Sequence, residues 1–440
     1  MQVFFDETIE NEFSQVYRRF KKFELESDEA YQDDLDYLKR NLVVFKPLPT
    51  KCHHENFNVT AIDGSGADSL VMLNDIAIHL LTAGFAADKT CFEDGTTEQL
   101  NTRPPICTHP EGLMRLIILR EDKSKEVWEE FLAFIKYNYN EELETIVLRV
   151  LRNFVYHKYV HKFPNDPFPN IKSKVDLYKA AIKAEFKLYK SDIFDFSEWM
   201  VSPRAAAVQG WYEQFREVVE YSLAHSLLNS DTKFKYIFLD GSLNMLLSPG
   251  QEQPRLASNY LLRDLCKKSL NKETCIVAVS KTTTFPFVYR IAQDLEKELG
   301  GEKKWFVRIP SKHRNEPTLK LLENRPHIPP YYGVTYLFHF SSEVPVLRID
   351  LDHEWYMKNI YSADTKIQKA KELELFQEID WLSRDVRYFG YFFDLAFAHN
   401  STVVSFAERN VVADQLIGYF AEQGEDPKMF IHPRRRLGLM

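Results

Sequence analysis

The spacing of apolar residues along the second half of this chain predicts alternating helices and strands. Apolar positions three and four residues apart indicate helices, whereas short unbroken apolar runs indicate buried strands. Their alternation predicts an α/β protein in which helices flank a mixed sheet. The predicted helices lie at 204–228, 255–270, 288–299, 367–387 and 409–422, and the predicted strands at 236–240, 275–281, 305–309, 332–340 and 344–351.

The first half of the chain has a less regular pattern. Residues 6–43 have the spacing of two surface helices, and residues 85–112 are rich enough in Gly, Thr, Asn and Pro to predict a long loop. Strands are predicted at 57–63 and 113–119, with a strand or hairpin at 70–81. Long helical patterns broken by prolines fill 124–190. We therefore divide the chain into an N-terminal helical segment (1–50), an α/β core (51–123 and 200–440) and a large, mainly helical insertion (124–199).

Composition narrows the class of protein without naming an activity. The chain has 440 residues, of which 45% are hydrophobic and 27% charged, as in ordinary globular proteins. No apolar run approaches the roughly 20 residues that span a bilayer, so no membrane association is expected. The first residues lack the pattern of a signal peptide, and the five cysteines have no CxxC spacing. These features predict a cytoplasmic protein.

The net charge of −8 argues against binding of nucleic acid through a positive charge spread over the whole protein surface. Binding to DNA would need a local basic groove or a partner that delivers the strand. The densest basic run, Arg434-Arg435-Arg436, is either such a contact or a solvated tail.

Two segments that share one sequence pattern give the clearest indication of a functional site in the chain. Each is a short apolar run followed by Asp-Gly-Ser, with Asp63 in the first and Asp240 in the second. A carboxylate at the end of a buried strand is held rigidly, and the following glycine lets a metal or a phosphate come close. Two such acids on one sheet would hold a divalent cation. The alternative is two Asp-Gly turns that close β-hairpins.

The predicted helix before Asp240 carries three acids on one face, Glu213, Glu217 and Glu220. A glutamate facing the strand acids would complete a three-carboxylate site of the RNase H type. The pattern alone favours the other interpretation, a solvated acidic face from which at most one or two acids turn inward.

Three further residues could serve such a site. Lys281 ends a buried-type strand, where it would contact a phosphate or simply be an exposed charge. Tyr391 lies eight residues before His399, whose imidazole would suit Mn²⁺ or be a hydrogen-bonded core residue. Cys52-His53-His54-Glu55 is discounted as a metal cluster because adjacent residues do not easily converge. The phosphate loop GxxxxGK[ST] and the motifs HExxH and GxSxG are absent, so the chain is not itself an ATPase motor.

Taken in order, these segments resemble the NurA family of DNA-end-processing nucleases. The blocks that carry the resemblance are Ala-Ile-Asp-Gly-Ser at 61–65, Phe-Leu-Asp-Gly-Ser-Leu at 238–243, Val-Ala-Val-Ser-Lys at 277–281, Arg-Ile-Asp at 348–350 and Gly-Tyr…Ala-His at 390–399. They cover about a tenth of the chain. The block at 85–200 is larger than the family core requires, and Phe392 stands where a proline is common in the family.

The resemblance implies an RNase H-like fold around a Mn²⁺-dependent site, with Mg²⁺ as the other candidate. It implies a homodimer that docks on a hexameric HerA-type ATPase, which feeds DNA into the nuclease for end resection or anti-phage defence. Carried over by position, Asp63 and Asp240 would ligate the metal, His399 would ligate or orient with Tyr391 beside it, and Lys281 would contact the phosphate backbone. Glu220 is the preferred helix acid, with Glu217 as the alternative.

The resulting hypothesis is a metal-dependent exo- or endonuclease acting on DNA ends, in which Asp63, Glu220, Asp240 and His399 hold one or two Mn²⁺. Two other classes of function stay open at this point. One is a non-catalytic, NurA-like adaptor that docks a translocase ATPase. The other is an α/β scaffold whose Asp-Gly-Ser segments are only turns.

Overall fold

The computed structural model is dominated by one mixed sheet. It describes residues 13–19, 21–22, 36–66, 69–73, 76–104, 107, 112–120, 208–243, 262, 265–281, 294–295, 297–300, 303–309, 333–341, 346–384 and 391–430. The predicted insertion at 124–199 and the Arg434-Arg435-Arg436 run therefore lie outside the described residues.

Eleven strands form the sheet within these ranges. They are β1 (Val43–Val44), β2 (Asn58–Ser65), β3 (Ser69–Leu73), β4 (Ile76–Cys91), β5 (Thr96–Gln99), β6 (Gly112–Arg120), β7 (Tyr236–Asp240), β8 (Cys275–Ser280), β9 (Trp305–Arg308), β10 (Gly333–His339) and β11 (Leu347–Asp352). The spatial order is β1-β9-β10-β11-β8-β7-β2-β4-β3, and β5 and β6 also pair with β4. The pairs β2–β7 and β7–β8 are parallel, whereas β2–β4 and β4–β6 are antiparallel.

The helices pack on both faces of this sheet. They include α1 (Val208–Leu228), α2 (His353–Asn359), α3 (Thr365–Leu382), α4 (Phe393–Thr402) and α5 (Phe406–Glu422), and shorter helical segments lie at 36–41 and 265–271. None of the described helices is long and apolar enough to cross a membrane.

One large core fills the face of the sheet that α3 and α4 cover. Side chains alternate between the two faces along each strand, and Ala61, Phe238 and Val279 all point into this core. Phe376 of α3 and Leu395 of α4 pack against them from above. Residues two positions further along these strands, Asp63, Asp240 and Lys281, therefore lie on the same face where the core ends.

The α/β prediction is confirmed, and the strands that the apolar runs predicted at 236–240 and 275–281 match β7 and β8 closely. The prediction of a long loop at 85–112 is wrong. Strand β4 continues to Cys91, a turn follows, and Thr96–Gln99 forms β5. The small residues of this region are typical of loops, but neighbouring strands on both edges and helix α4 hold them in an extended conformation, and such contacts override local propensity.

Candidate metal centre

The register of two parallel strands places Asp63 beside Asp240. Ile62 of β2 pairs with Leu239 of β7, so the next residue of each strand is an aspartate. Neighbouring strands lie about 4.8 Å apart, and both aspartates belong to the face that α4 covers. The hairpin interpretation of the two Asp-Gly-Ser segments is wrong, because Asp63, Gly64 and Ser65 lie inside β2 and β7 pairs in parallel with both of its neighbours, β2 and β8.

Helix α4 adds an imidazole to the two carboxylates. His399 lies in its last turn, within the helix rather than after it. The Nδ1 atom of His399 is 2.5 Å from Oδ2 of Asp63, whose other oxygen accepts a 2.8 Å hydrogen bond from the backbone N–H of Gly64. One ligand atom from each of Asp63, Asp240 and His399 lies within 4.8 Å of the others. Among the described residues, this is the group with the spacing of a metal site.

The approach of α4 depends on a glycine in β4. Gly84 pairs with Asp63, and a Cβ atom there would lie 2.4 Å from Oγ of Ser401 and 2.8 Å from Cγ2 of Thr402. Two residues before Gly84 on the same strand, the Thr82 hydroxyl donates a 2.7 Å hydrogen bond to the carbonyl oxygen of Thr402. The helix that carries His399 is thereby fixed on the strand next to Asp63.

Lys281 and Tyr391 lie at the edge of the same group. The Nζ atom of Lys281 is 3.5 Å from Oδ2 of Asp240 and 5.3 Å from the centroid of the Tyr391 ring. The Tyr391 hydroxyl is buried and has no hydrogen-bond partner among the described residues. Burial raises the pKa of this hydroxyl above its usual value, and the negative charges of Asp240 and Asp63 raise it further. Phe392 packs on Phe238 with ring centroids 4.7 Å apart and so anchors the start of α4.

Glu220 reaches the site from the opposite face of the sheet. Its side chain extends from α1 over the backbone of Gly64, with Oε1 3.6 Å from Nε of Arg216. Glu220 is buried, so at least one acid of this helix face turns inward, within the one or two that the sequence allowed. Burial raises its pKa well above the usual value, Arg216 opposes that shift, and Asp63, Glu217 and Asp240 add to it.

Neither Glu220 nor Glu217 belongs to the described group whose ligand atoms converge within 4.8 Å. The side chain of Glu213 lies outside the described residues. The structure therefore brings together three of the predicted ligands, Asp63, Asp240 and His399. The helix acid, Glu220, lies outside this group.

The packing of Glu220 on Gly64 predicts a measurable effect of one methyl group. A Cβ atom at position 64 would lie 2.5 Å from Oε1 and 2.9 Å from Cγ of Glu220, which is too close for either atom. We expect Gly64→Ala to lower the free energy of unfolding by about 1–3 kcal/mol, the usual penalty of overpacking. Chemical denaturation measures the change.

Gly418→Ala provides the matched control, because a Cβ atom there meets no atom within 4 Å and alanine is favoured over glycine inside helix α5. In a Glu220→Ala background the Gly64→Ala penalty should largely disappear. An unchanged penalty in that background would show that Glu220 does not lie over Gly64.

The electrostatics of the centre favour a bound cation. Burial raises the pKa of Asp63, the neighbouring Asp240 carboxylate raises it further, and His399 and the Gly64 N–H only partly offset these effects. Two carboxylates that repel each other, an imidazole and an unpartnered buried hydroxyl are together a donor set that fits a hard divalent ion. The residues present therefore fit a divalent cation such as the Mn²⁺ or Mg²⁺ that the sequence resemblance implied.

Comparisons with known proteins find similarity only at the level of solved structures. No protein-family model matches the sequence, and no curated protein matches it. The NurA nuclease from Sulfolobus solfataricus superposes with a TM-score of 0.47 and 13% identity over 96% of this chain and 99% of that one. NurA bound to dAMP and manganese superposes with a TM-score of 0.38 and 13% identity over 95% and 99% of the two chains. Similarity at this level establishes no activity, so the function has to be argued from the site itself.

The two histidines of the discounted Cys52–Glu55 segment go to separate acids. His53 contacts Glu93 with its Nδ1 atom 3.1 Å from Oε1, and Nε2 of His54 is 2.8 Å from Oε1 of Glu378. Among the described residues this segment forms no metal group.

Sequence reasoning assigned no role to Arg348 and Asp350, which hold the chain just after Asp240. Both are buried charges on β11. The signal was available in the sequence, because Arg348 and Asp350 alternate with Leu347, Ile349 and Leu351, and charges inside an apolar strand are almost always paired.

Proposed function

We propose that this protein is a metal-dependent deoxyribonuclease that hydrolyses phosphodiester bonds at DNA ends with Mn²⁺, or Mg²⁺, as its cofactor. The observation that carries the proposal is the convergence of Asp63, Asp240 and His399 within 4.8 Å. Carboxylates are the preferred ligands of hard cations, and imidazole is accepted by Mn²⁺ more readily than by Mg²⁺. Both acids also come at the carboxyl ends of parallel strands, where open α/β sheets bind their ligands.

The residues of the centre divide the work of hydrolysis. Asp63 and Asp240 would hold the cation, and His399 would ligate it or keep Asp63 oriented through the Nδ1 contact. A bound divalent ion supplies positive charge at the phosphate and makes a nearby water more acidic. Lys281 offsets negative charge on the phosphoryl oxygens. The buried Tyr391 hydroxyl donates a hydrogen bond to a phosphate oxygen, which satisfies a group that otherwise has no partner among the described residues.

Two finer features belong to the same proposal. The sheet is RNase H-like, which is supported by the antiparallel strands β6-β4-β2 continuing into the parallel strands β7 and β8. Glu220 would be the further carboxylate ligand of the ion, with Glu217 as the alternative. Its burial beside Gly64 and its electrostatic coupling to Asp63 and Asp240 support this assignment.

We further propose that the nuclease works as a homodimer with a hexameric HerA-type ATPase, in DNA-end resection or anti-phage defence. The support comes from the residue blocks at 61–65, 238–243, 277–281, 348–350 and 390–399 that resemble NurA proteins. The net charge of −8 is consistent with a partner that delivers the strand, because an acidic molecule gains little from phosphate contacts alone.

A cleavage assay on the purified full chain tests the proposal. Linear duplex DNA and a covalently closed circle of the same sequence are each incubated with Mn²⁺, with Mg²⁺ or with EDTA. We expect degradation of the linear DNA with Mn²⁺, none with EDTA, and little cutting of the closed circle. Each reaction is repeated with a HerA-type ATPase and ATP.

No cleavage in any of these reactions would contradict the proposal. It would favour the non-catalytic adaptor if the ATPase still bound the chain. Isothermal titration with Mn²⁺ separates the remaining case, because a simple scaffold would bind no ion at this centre.

A further inference from the structure

A buried ion pair on β11 contacts the chain that follows Asp240. On β11, Leu347, Ile349 and Leu351 point into the core, so Arg348 and Asp350 face the other side of the sheet. Nε of Arg348 donates to Oδ1 of Asp350 at 3.1 Å, and Nη2 donates to Oδ2 at 2.9 Å. Burying two charges carries a large desolvation penalty and rarely stabilises a fold more than apolar residues would. A pair in such a place therefore needs a reason beyond stability.

Asp350 accepts hydrogen bonds from the two residues that follow Gly241, Ser242 and Leu243. Its Oδ2 atom accepts hydrogen bonds from the Ser242 hydroxyl at 2.5 Å and from the backbone N–H of Leu243 at 3.2 Å. Nη2 of Arg348 also donates to Oγ of Ser242, at 2.8 Å. On the opposite side of the carboxylate, the Thr335 hydroxyl donates to Oδ1 at 2.6 Å.

Residues 241–243 cross the end of β8, which lies between β7 and β11. The N–H of Gly241 donates to the carbonyl oxygen of Val279 at 2.9 Å, and the Ser280 hydroxyl donates to the carbonyl oxygen of Gly241. Gly241 has a φ of +112°, a conformation that favours glycine. The turn is thus fixed at its start by β8 and at its end by Asp350.

The orientation of the Asp240 carboxylate depends on this turn, whereas the Asp63 carboxylate is fixed by direct hydrogen bonds. Asp63 is held directly by the Gly64 N–H and His399. For Asp240, the side-chain contact within the described part of the chain is the 3.5 Å approach of Lys281. The direction of the Asp240 carboxylate is therefore set mainly by its backbone, which the turn determines.

We propose that Arg348, Asp350 and Ser242 form a positioning device that aims the Asp240 carboxylate at the metal ion. The inference rests on the proposed function, because it needs an ion between Asp63 and Asp240. Asp350 is a positioning residue and does not touch the ion. Burial alone would raise the pKa of Asp350, but Arg348 and the hydrogen bonds from Ser242 and Thr335 outweigh burial and lower it, so the carboxylate stays charged.

Two hydroxyl deletions on the same carboxylate test the device. Ser242→Ala and Thr335→Val each remove one hydroxyl donor to Asp350, but only Ser242 belongs to the turn. Titration calorimetry with Mn²⁺ alone should give a Kd about tenfold higher for Ser242→Ala, the usual effect of losing a group that supports a metal ligand. Thr335→Val should stay within about twofold of wild type, and Ser242→Thr, which keeps the hydroxyl, should recover most of the affinity.

Thermal unfolding of all four proteins in EDTA supplies the structural readout. The device is supported if Ser242→Ala and Thr335→Val lose similar stability while only Ser242→Ala loses Mn²⁺ affinity. Equal affinities for these two variants, whether both weakened or both unchanged, would overturn it. If wild type binds no Mn²⁺, the proposed function fails as well. If wild type binds Mn²⁺ through Asp63 but Ser242→Ala binds it equally well, only this inference fails.

Discussion

Asp63→Asn is expected to lower Mn²⁺-dependent DNA cleavage by more than about 100-fold, beyond the usual effect of losing a group that merely supports a ligand. Asparagine keeps the shape of the side chain but not the charge that holds the cation. Asp240→Asn should have an effect of the same size, because the two residues face the same ion. Initial cleavage rates at saturating DNA over a series of Mn²⁺ concentrations measure the loss.

The same substitution should leave the fold intact. Burial and the Asp240 charge raise the pKa of Asp63, so ionising this carboxyl group costs more free energy in the folded state than in the unfolded chain. Asp63→Asn removes that repulsion, and the midpoint of thermal unfolding should be no lower than that of wild type. Loss of activity without loss of stability is the signature of a functional acid.

Asp94→Asn is the matched control, since Asp94 is exposed in the turn after β4 and lies outside the metal group. It should cleave DNA at the wild-type rate. Cleavage by Asp63→Asn at a rate near wild type would remove Asp63 from the metal site.

The second large effect concerns stability and a carboxylate away from the metal centre. Asp352 caps helix α2 by accepting a 3.0 Å hydrogen bond from the N–H of Glu354 through Oδ1. Its Oδ2 atom is buried with no hydrogen-bond partner among the described residues. Burial, only partly opposed by the backbone N–H groups of Glu354 and Trp355, raises the pKa of Asp352 to about 7.

This shift makes the folded protein more stable in acid. Between about pH 4 and pH 7 the folded state binds a proton at Asp352 that the unfolded chain has already released, so the free energy of unfolding falls as pH rises through this window. Glu354 adds a small repulsion, and the nearby Cys266 and Cys275 thiols have pKa values raised by burial, so they stay neutral throughout.

Asp352→Asn should remove most of this fall. Asparagine is neutral and caps helices about as well as aspartate. At pH 8 the variant should exceed wild type in stability by about 4 kcal/mol, because the pKa rises from 3.8 to about 7 and a tenfold change in a protonation constant is worth about 1.4 kcal/mol. At pH 5 the advantage should be much smaller. Urea denaturation in EDTA at both pH values measures it, and equal gains at the two pH values would contradict the account.

The acids of the site were predictable because local and global structure agree at those positions. An apolar run that ends in Asp-Gly-Ser gives both the strand and the location of the carboxylate, and β7 ends at Asp240 as that pattern predicts. The location of both acids on one sheet was a hypothesis about residues far apart in sequence, and the structure places their strands β2 and β7 side by side.

Other features were hidden because they depend on contacts between distant segments. Nothing near Gly84 in the sequence indicates that helix α4 packs against it, yet that contact places His399. Glu220 turns inward because Gly64 leaves room above β2, and the acidic stripe alone did not identify which of its acids would do so. The sequence does not show that Arg348 and Asp350 bind Ser242, because Ser242 follows a strand two positions away in the sheet.

The account as a whole depends on one divalent ion shared by Asp63 and Asp240. Crystals of the full chain soaked in Mn²⁺, with diffraction recorded on both sides of the manganese absorption edge, locate that ion directly. We expect an anomalous peak within ligand distance of both carboxylates and beside His399, and no peak in Asp63→Asn crystals treated in the same way. An anomalous map without a peak between the two carboxylates would contradict the account.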